Sequence, residues 1–284
     1  MFWKKFKIAK LLPIPLALII FSLIVIFNNY LKTGDFFIKD IDLKGGTSVT
    51  LFFNQSVNTE KLEEVLKQQY ENLFFSYSKT SEGSITVNFI TDSVVNTSSL
   101  ISFLNEKGFY PQDQSIQFVG PELGKSFFVQ ITNLLIAAYI LLFLLNLIIY
   151  KKPIIATTII LSSIANLICV FGIMTFFNQK FSFAGFSSLL MLIAFGIDAN
   201  VILATKILSG KLEEFYDQYK KGLITGITIN VGLIISMLIV LFLSNSSLLI
   251  NIAEILIIGF LADILNTWVL NAAVIEVILI GKRH

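Results

Sequence analysis

The chain has 284 residues, of which 55% are hydrophobic and 14% charged, short of the roughly 25% charge that covers a water-facing globular surface. One cysteine, Cys169, and one histidine, His284, exclude an intrachain disulfide, a Cys/His metal cage and a histidine base. A net charge of +2 and a mean hydropathy of +0.79 speak against a nucleic-acid partner and for an integral membrane protein.

Six apolar stretches, near 11–30, 127–150, 154–177, 183–208, 222–243 and 248–280, reach the roughly 20 residues a helix needs to cross a bilayer. Between the first two lies a polar segment with the composition of a soluble domain. The predicted plan is a tail and first span over 1–30, an inserted domain over 31–126, and a five-span membrane domain over 127–284. The first span follows a basic start, as a signal peptide does. Its long apolar run and the lack of an A-x-A-like site read as an uncleaved anchor.

Lysines give the orientation, because positive loops stay cytoplasmic. Lys4, Lys5, Lys7, Lys10, Lys151, Lys152, Lys206, Lys211, Lys220, Lys221, Lys282 and Arg283 all fall on one side if six spans alternate. The short loops of the other side hold only Lys180. Both termini are therefore expected in the cytoplasm and residues 31–126 outside.

The inserted segment reads as β-α-β-β-α-β. Strands are expected at Thr47–Phe53, Leu73–Lys79, Ile85–Phe89 and Ser115–Val119, where β-branched and aromatic residues alternate with polar ones. A helix capped by Thr59 runs to about Tyr70, Ser81-Glu82-Gly83 turns, and a helix opened by Thr97 closes at Gly108. This order is the ferredoxin-like arrangement. The fold class is thus a polytopic α-helical membrane protein with an inserted α+β ferredoxin-like domain. The domain's residues suggest binding or mechanical work rather than catalysis.

Two glycine-bearing motifs flank the domain. In Asp42-Leu43-Lys44-Gly45-Gly46-Thr47 the paired glycines allow positive φ or close backbone approach, and the plainer reading is a tight turn. In Val119-Gly120-Pro121-Glu122-Leu123-Gly124 the domain rejoins the membrane, either through an ordinary linker or through a hinge that absorbs φ/ψ change.

Inside the spans, Gly196-Ile197-Asp198-Ala199-Asn200 places a carboxylate within the fourth apolar stretch. A charge there is costly and normally faces a partner or a wet cavity. Asp198, Asn200 and, in the sixth stretch, Asp263 are proton-relay candidates, against the alternative of hydrogen-bonded helix glue. In the sixth stretch Asp263, Asn266 and Thr267 share a helix face, with Asn271 close to it. That stripe is expected to look inward, toward Asp198 or another subunit. Asn133, Asn166 and Asn230 add amides, and Glu254 and Glu276 lie near the interfaces, within reach of water.

These residues resemble a family. The layout resembles that of SecF, the smaller membrane subunit of the SecD–SecF protein-export family, in its archaeal form. Asp42–Thr47 is similar to the family's D-x-x-G-G-T, and Val119–Gly124 to its G-P-x-L-G return to the membrane. Leu189–Asp198 resembles the archaeal fourth-span L-L-M-L-I-G-Y-S-V-D, and Asp263–Ala272 the sixth-span D-x-x-N-T-W-x-x-N-A. Asp198-Ala199-Asn200 departs toward the SecD spelling, and Lys206-Ile207-Leu208 stands where bacterial SecF has an arginine-rich run.

The resemblance implies the resistance-nodulation-division superfamily, in which fourth-span carboxylates couple proton flow to movement of outside domains. It implies an auxiliary translocase subunit in the cell membrane, partnered by SecD, the SecY channel, the translocating polypeptide and membrane lipid. No cofactor or metal is implied. Two other classes stay open: a passive scaffold without proton coupling, and a subunit of a small-molecule transporter of the same superfamily. An intramembrane aspartyl protease is disfavoured because Asp198 follows Phe195-Gly196-Ile197 and lacks the G-x-G-D pattern.

Overall fold

The computed structural model describes residues 7–54, 57–70, 73–79, 84–91, 93–244 and 246–281. Lys4, Lys5, Ser81-Glu82-Gly83, Lys282, Arg283 and His284 lie outside the described residues. The chain divides into two compact units. One comprises Lys39–Gln130 and the other the segments before and after it.

In the smaller unit a short helix, α2 (Ile41–Lys44), precedes β1 (Gly46–Phe53), α3 (Thr59–Gln69), β2 (Phe74–Lys79), β3 (Ile85–Thr91), α4 (Thr97–Glu106) and β4 (Asp113–Val119). The strands form one antiparallel sheet in the order β2-β3-β1-β4. β1 is central, with Val49 opposite Phe89 on one side and Ile116 on the other. Period-2 alternation turns Val49, Leu51 and Phe53 of β1, and Ile85, Val87 and Phe89 of β3, to one face. There they meet Leu62 and Leu66 of α3 and Leu100 and Leu104 of α4.

The cap of α3 lies one residue before the expected Thr59, while α4 opens at Thr97 as expected, with Asn96 as its cap. Asn58 accepts from the Lys61 N–H at 3.1 Å and Asn96 from the Ser98 N–H at 2.9 Å. Thr59 and Thr97 are the first helical residues. Of two adjacent candidates, the asparagine carbonyl is the stronger cap. Gly108 is left-handed at φ +84°, as its position after α4 predicts.

The larger unit holds α1 (Pro13–Thr33), α5 from its middle onward (the helix spans Pro121–Tyr150), α6 (Pro153–Phe176), α7 (Phe183–Ser209), α8 (Phe215–Leu243), α9 (Ser247–Leu265) and α10 (Ala272–Gly281). A π-helical turn, Asn266–Asn271, joins α9 to α10. Among the described residues these make six helices long and apolar enough to cross a membrane. α5 starts at Pro121, ahead of the expected 127, because proline is preorganised for the first helical turn. α8 starts at Phe215 rather than 222, so Lys220 and Lys221 lie in its first turns, not in a loop.

α6 and α7 form the centre: 61% and 56% of their most apolar stretches are buried, against 11% for α1, α5 and α8. Small residues set the closest approaches. A Cβ on Gly172 of α6 would stand 2.3 Å from the Ser22 Cβ of α1, and one on Gly259 of α9 would stand 2.4 Å from Leu192 of α7. Phe37, Phe171, Phe181 and Phe186 cluster with ring centroids 4.9–6.2 Å apart. The Phe181 N–H donates to the Ile38 carbonyl beside them at 2.8 Å.

Candidate functional site: a polar core inside the membrane bundle

Asn200 is the hub of the polar core. In α7 it lies one turn after Gly196 and donates to the Gly196 carbonyl at 2.7 Å and to Thr267 Oγ1 at 2.9 Å. Its own Oδ1 accepts from Asn271 Nδ2. Thr267 in turn donates to Asp263 Oδ1 at 2.8 Å, and Asn230 of α8 donates to Asp263 Oδ2 at 3.0 Å. Five side chains from three spans are thus linked in series, and Asp263 is 1% exposed. Gly196 makes room for the carboxylate: a Cβ there would stand 3.2 Å from Asp263 Oδ1.

The π-turn explains why so many polar residues face inward at once. Asn266, Thr267, Trp268 and Asn271 are all buried. In a regular α-helix three consecutive residues would sweep 200° and one would face out. Side chains from neighbouring helices cover carbonyls in the turn: Ser162 donates to Asn266 O at 2.9 Å and Tyr219 to Trp268 O at 2.8 Å. Covering such carbonyls is what makes irregular backbone tolerable at membrane depth. Asn266 itself turns to Cys169, donating to Sγ at 3.6 Å.

Asp198 stands apart from this network. A two-residue step on α7 rotates it 200° from Asn200, and it is exposed. It lines a groove of about 390 Å³ with Phe195, Ala199 and Ile202 of α7 and Gly226, Asn230 and Leu233 of α8. The structure therefore brings Asn200, Asp263, Thr267 and Asn271 together and leaves Asp198 outside them. Asn230 is the common element, lining the groove and donating to Asp263. In the sequence it was one amide among several; its signal is an asparagine within an otherwise apolar run. The π-turn had no local signal. Among the described residues, no three His, Cys, Asp or Glu side chains gather as a metal site would require.

The flanking glycine motifs pack on one another. Asp40 caps α2 by accepting from the Ile41 N–H at 2.9 Å, and Gly45 and Gly46 follow at φ +84° and +131°. A Cβ on Gly45 would stand 2.5 Å from Pro121 Cα, and one on Gly124 would stand 2.7 Å from the Gly45 nitrogen. Backbone lies on backbone at this joint. Gly120 alone of these glycines has open space around it.

Six helices fit to span a membrane, a buried carboxylate–amide network and an inserted α/β unit define a polytopic membrane protein. The chain belongs to the SecD/SecF protein export membrane protein family, whose C-terminal model matches residues 100–280. It is 28% identical over 280 residues to the protein-export membrane protein SecF of Pyrococcus furiosus, covering 97% of this chain and 92% of that protein. The SecF of Methanocaldococcus jannaschii is 27% identical over 280 residues, covering 96% and 95%. Among solved structures, SecDF of Thermus thermophilus, a translocon-associated membrane protein, matches with a TM-score of 0.77 at 16% identity. That match covers 98% of this chain and 38% of the SecDF chain, so the protein spans little more than a third of that structure's length.

Proposed function

We propose that the protein is an auxiliary subunit of the Sec translocase that promotes protein export in partnership with SecD, using the proton motive force. The carrying observation is Asp198, a carboxylate exposed inside an apolar span on an open groove between α7 and α8. Such a group facing lipid is costly, so a second membrane half covers that face. The match to a little over a third of SecDF is consistent with SecD supplying the other half. Asp198 takes up a proton in the groove, and Asn230, which lines the groove and donates to Asp263, couples that change of charge to the buried network by hydrogen bonding rather than by proton transfer.

In this reading both termini are cytoplasmic, residues 31–126 are outside the cell membrane, and the complex contacts the SecY channel. The inserted domain is ferredoxin-like, a reading supported by its β-α-β-β-α-β order and the strand order β2-β3-β1-β4. It holds or draws the emerging polypeptide. Its hinge is at Gly120, which has room to move, while Gly45, Gly46, Pro121 and Gly124 form the packed part of the joint.

One observation favours a passive scaffold instead: both Asp263 oxygens already accept hydrogen bonds from Thr267 and Asn230, as a purely structural carboxylate's would. Co-purification with SecD in mild detergent, followed by cross-linking from a cysteine at Ile202 in the groove, tests the pairing. Cross-links to SecD are expected; a chain that purifies alone would overturn it. Proton release from reconstituted complex under an imposed gradient separates relay from scaffold.

A further inference from the structure

Glu276 lies in α10 and is 0% exposed. Its position near the end of the span predicts contact with water; the structure buries it, because backbone from the start of the chain lies over it. Its Oε1 accepts from the Lys7 N–H at 2.9 Å, and its Oε2 from the Ile8 and Ala9 N–H groups at 3.1 and 2.9 Å. Tyr216 of α8 donates its hydroxyl to Oε1 at 2.6 Å. Ile8 and Ala9 are buried, and the Lys7 ammonium rests 4.8 Å from the Tyr216 ring centroid.

Among the described residues, the four groups bonded to the carboxylate all donate to it, three of them backbone amides that can only donate. The three amides belong to the backbone that leads through a 3₁₀ turn, Ala9–Leu11, into α1. Amides at a helix start have no partner within the helix, and their partial positive charge favours an anion. An ionised carboxylate accepts all four bonds. Each oxygen faces at least one backbone N–H, so a glutamine amide in either orientation would set its hydrogens against a donor. The site is built for the charged form.

We infer that Glu276 is a positioning residue whose ionised carboxylate clamps the start of α1 to α8 and α10. Few of α1's own side chains are buried, Pro15 and Ser22 among them. Farther along, α1 packs on α6, with Ser22 against Gly172 and Phe21 edge-on to Phe176 at 5.3 Å. The clamp makes α1 and α10 move as one body. A shift of the polar turn beside Asp263 is then carried to α1, and through it toward the chain that leads into the inserted domain.

Hydrogen exchange on the full-length protein in mild detergent tests the clamp without any export assay. Slow exchange is expected for the amides of residues 7–9. Glu276→Gln, equal in shape, should speed exchange there at least about tenfold, the equivalent of losing one hydrogen bond to a charged group, with α4 unchanged. Tyr216→Phe removes one donor but leaves the anion, so most of the protection should survive. A packing role would leave the Gln variant protected, and that result would overturn the proposal. So would fast exchange of these amides in the unsubstituted protein, which decides the matter even if Glu276→Gln does not fold.

Discussion

Asp198 and Asp263 are carboxylates of one bundle in opposite situations, and substitution should separate them. Asp263 has an amide on one oxygen and a hydroxyl on the other. Asp263→Asn keeps the volume, and rotation of the Asn230 amide re-pairs the group, so the fold should survive. Thr267→Val is harsher, because it removes the one hydroxyl that joins Asp263 to Asn200. It should cost about 1–3 kcal/mol, the usual penalty for orphaning a buried polar group, and Thr267→Ser should restore most of it. Thermal unfolding in detergent reads the difference. Asp198→Asn removes charge from an exposed position and should leave stability and SecD binding intact. If Asp198 takes up protons, gradient-dependent export stimulation is lost in that variant; full stimulation would leave the scaffold.

Among the elements, α8 and the π-turn are mutually fitted. The Trp268 ring occupies a notch made by Gly222 and Gly226, where a Cβ on Gly226 would stand 1.9 Å from Trp268 Cζ2. A rigid indole cannot yield as a lysine tip would, so Gly226→Ala should destabilise by about 1–3 kcal/mol or more through overpacking. Gly232, six residues along the same helix, has nothing within 4 Å of a built Cβ. Gly232→Ala should be neutral or stabilising by up to about 1 kcal/mol from helix propensity alone. Equal effects at both sites, measured by thermal unfolding, would contradict the fitted notch. The same pair shows what was legible from sequence. Apolar run length located every span, and alternation located every strand, because both are local properties of the chain. Ends shifted where local rules compete, as at Asn58, which outranks Thr59 beside it as the cap. The π-turn was not legible: its cause is a ring meeting a glycine notch 42 residues earlier in the chain. Asp198 was legible as a polar anomaly, but its facing was not, since a two-residue offset on a helix decides inside from outside.

For the whole molecule, six spans and the lysine distribution make two separable claims. Six crossings put the 1–2 connection and the 4–5 connection on opposite sides, whichever way the chain is inserted. For the side, the positive-inside rule leads us to expect the 4–5 connection in the cytoplasm, with Lys211 between the helices and Lys206, Lys220 and Lys221 in the flanking helix turns. Ser102 on α4 and Ser209 at the end of α7 are both exposed and lie in these two connections. The native thiol, Cys169, is buried at 0% exposure, so the background to an impermeant thiol reagent is low and the unsubstituted chain measures it. Ser102→Cys should label on intact cells, and Ser209→Cys only after the membrane is opened. Labelling of both from the same side would break the span count. The reversed pattern would keep the six spans and overturn the orientation, placing the inserted domain in the cytoplasm, where it could not draw on a polypeptide that had already crossed.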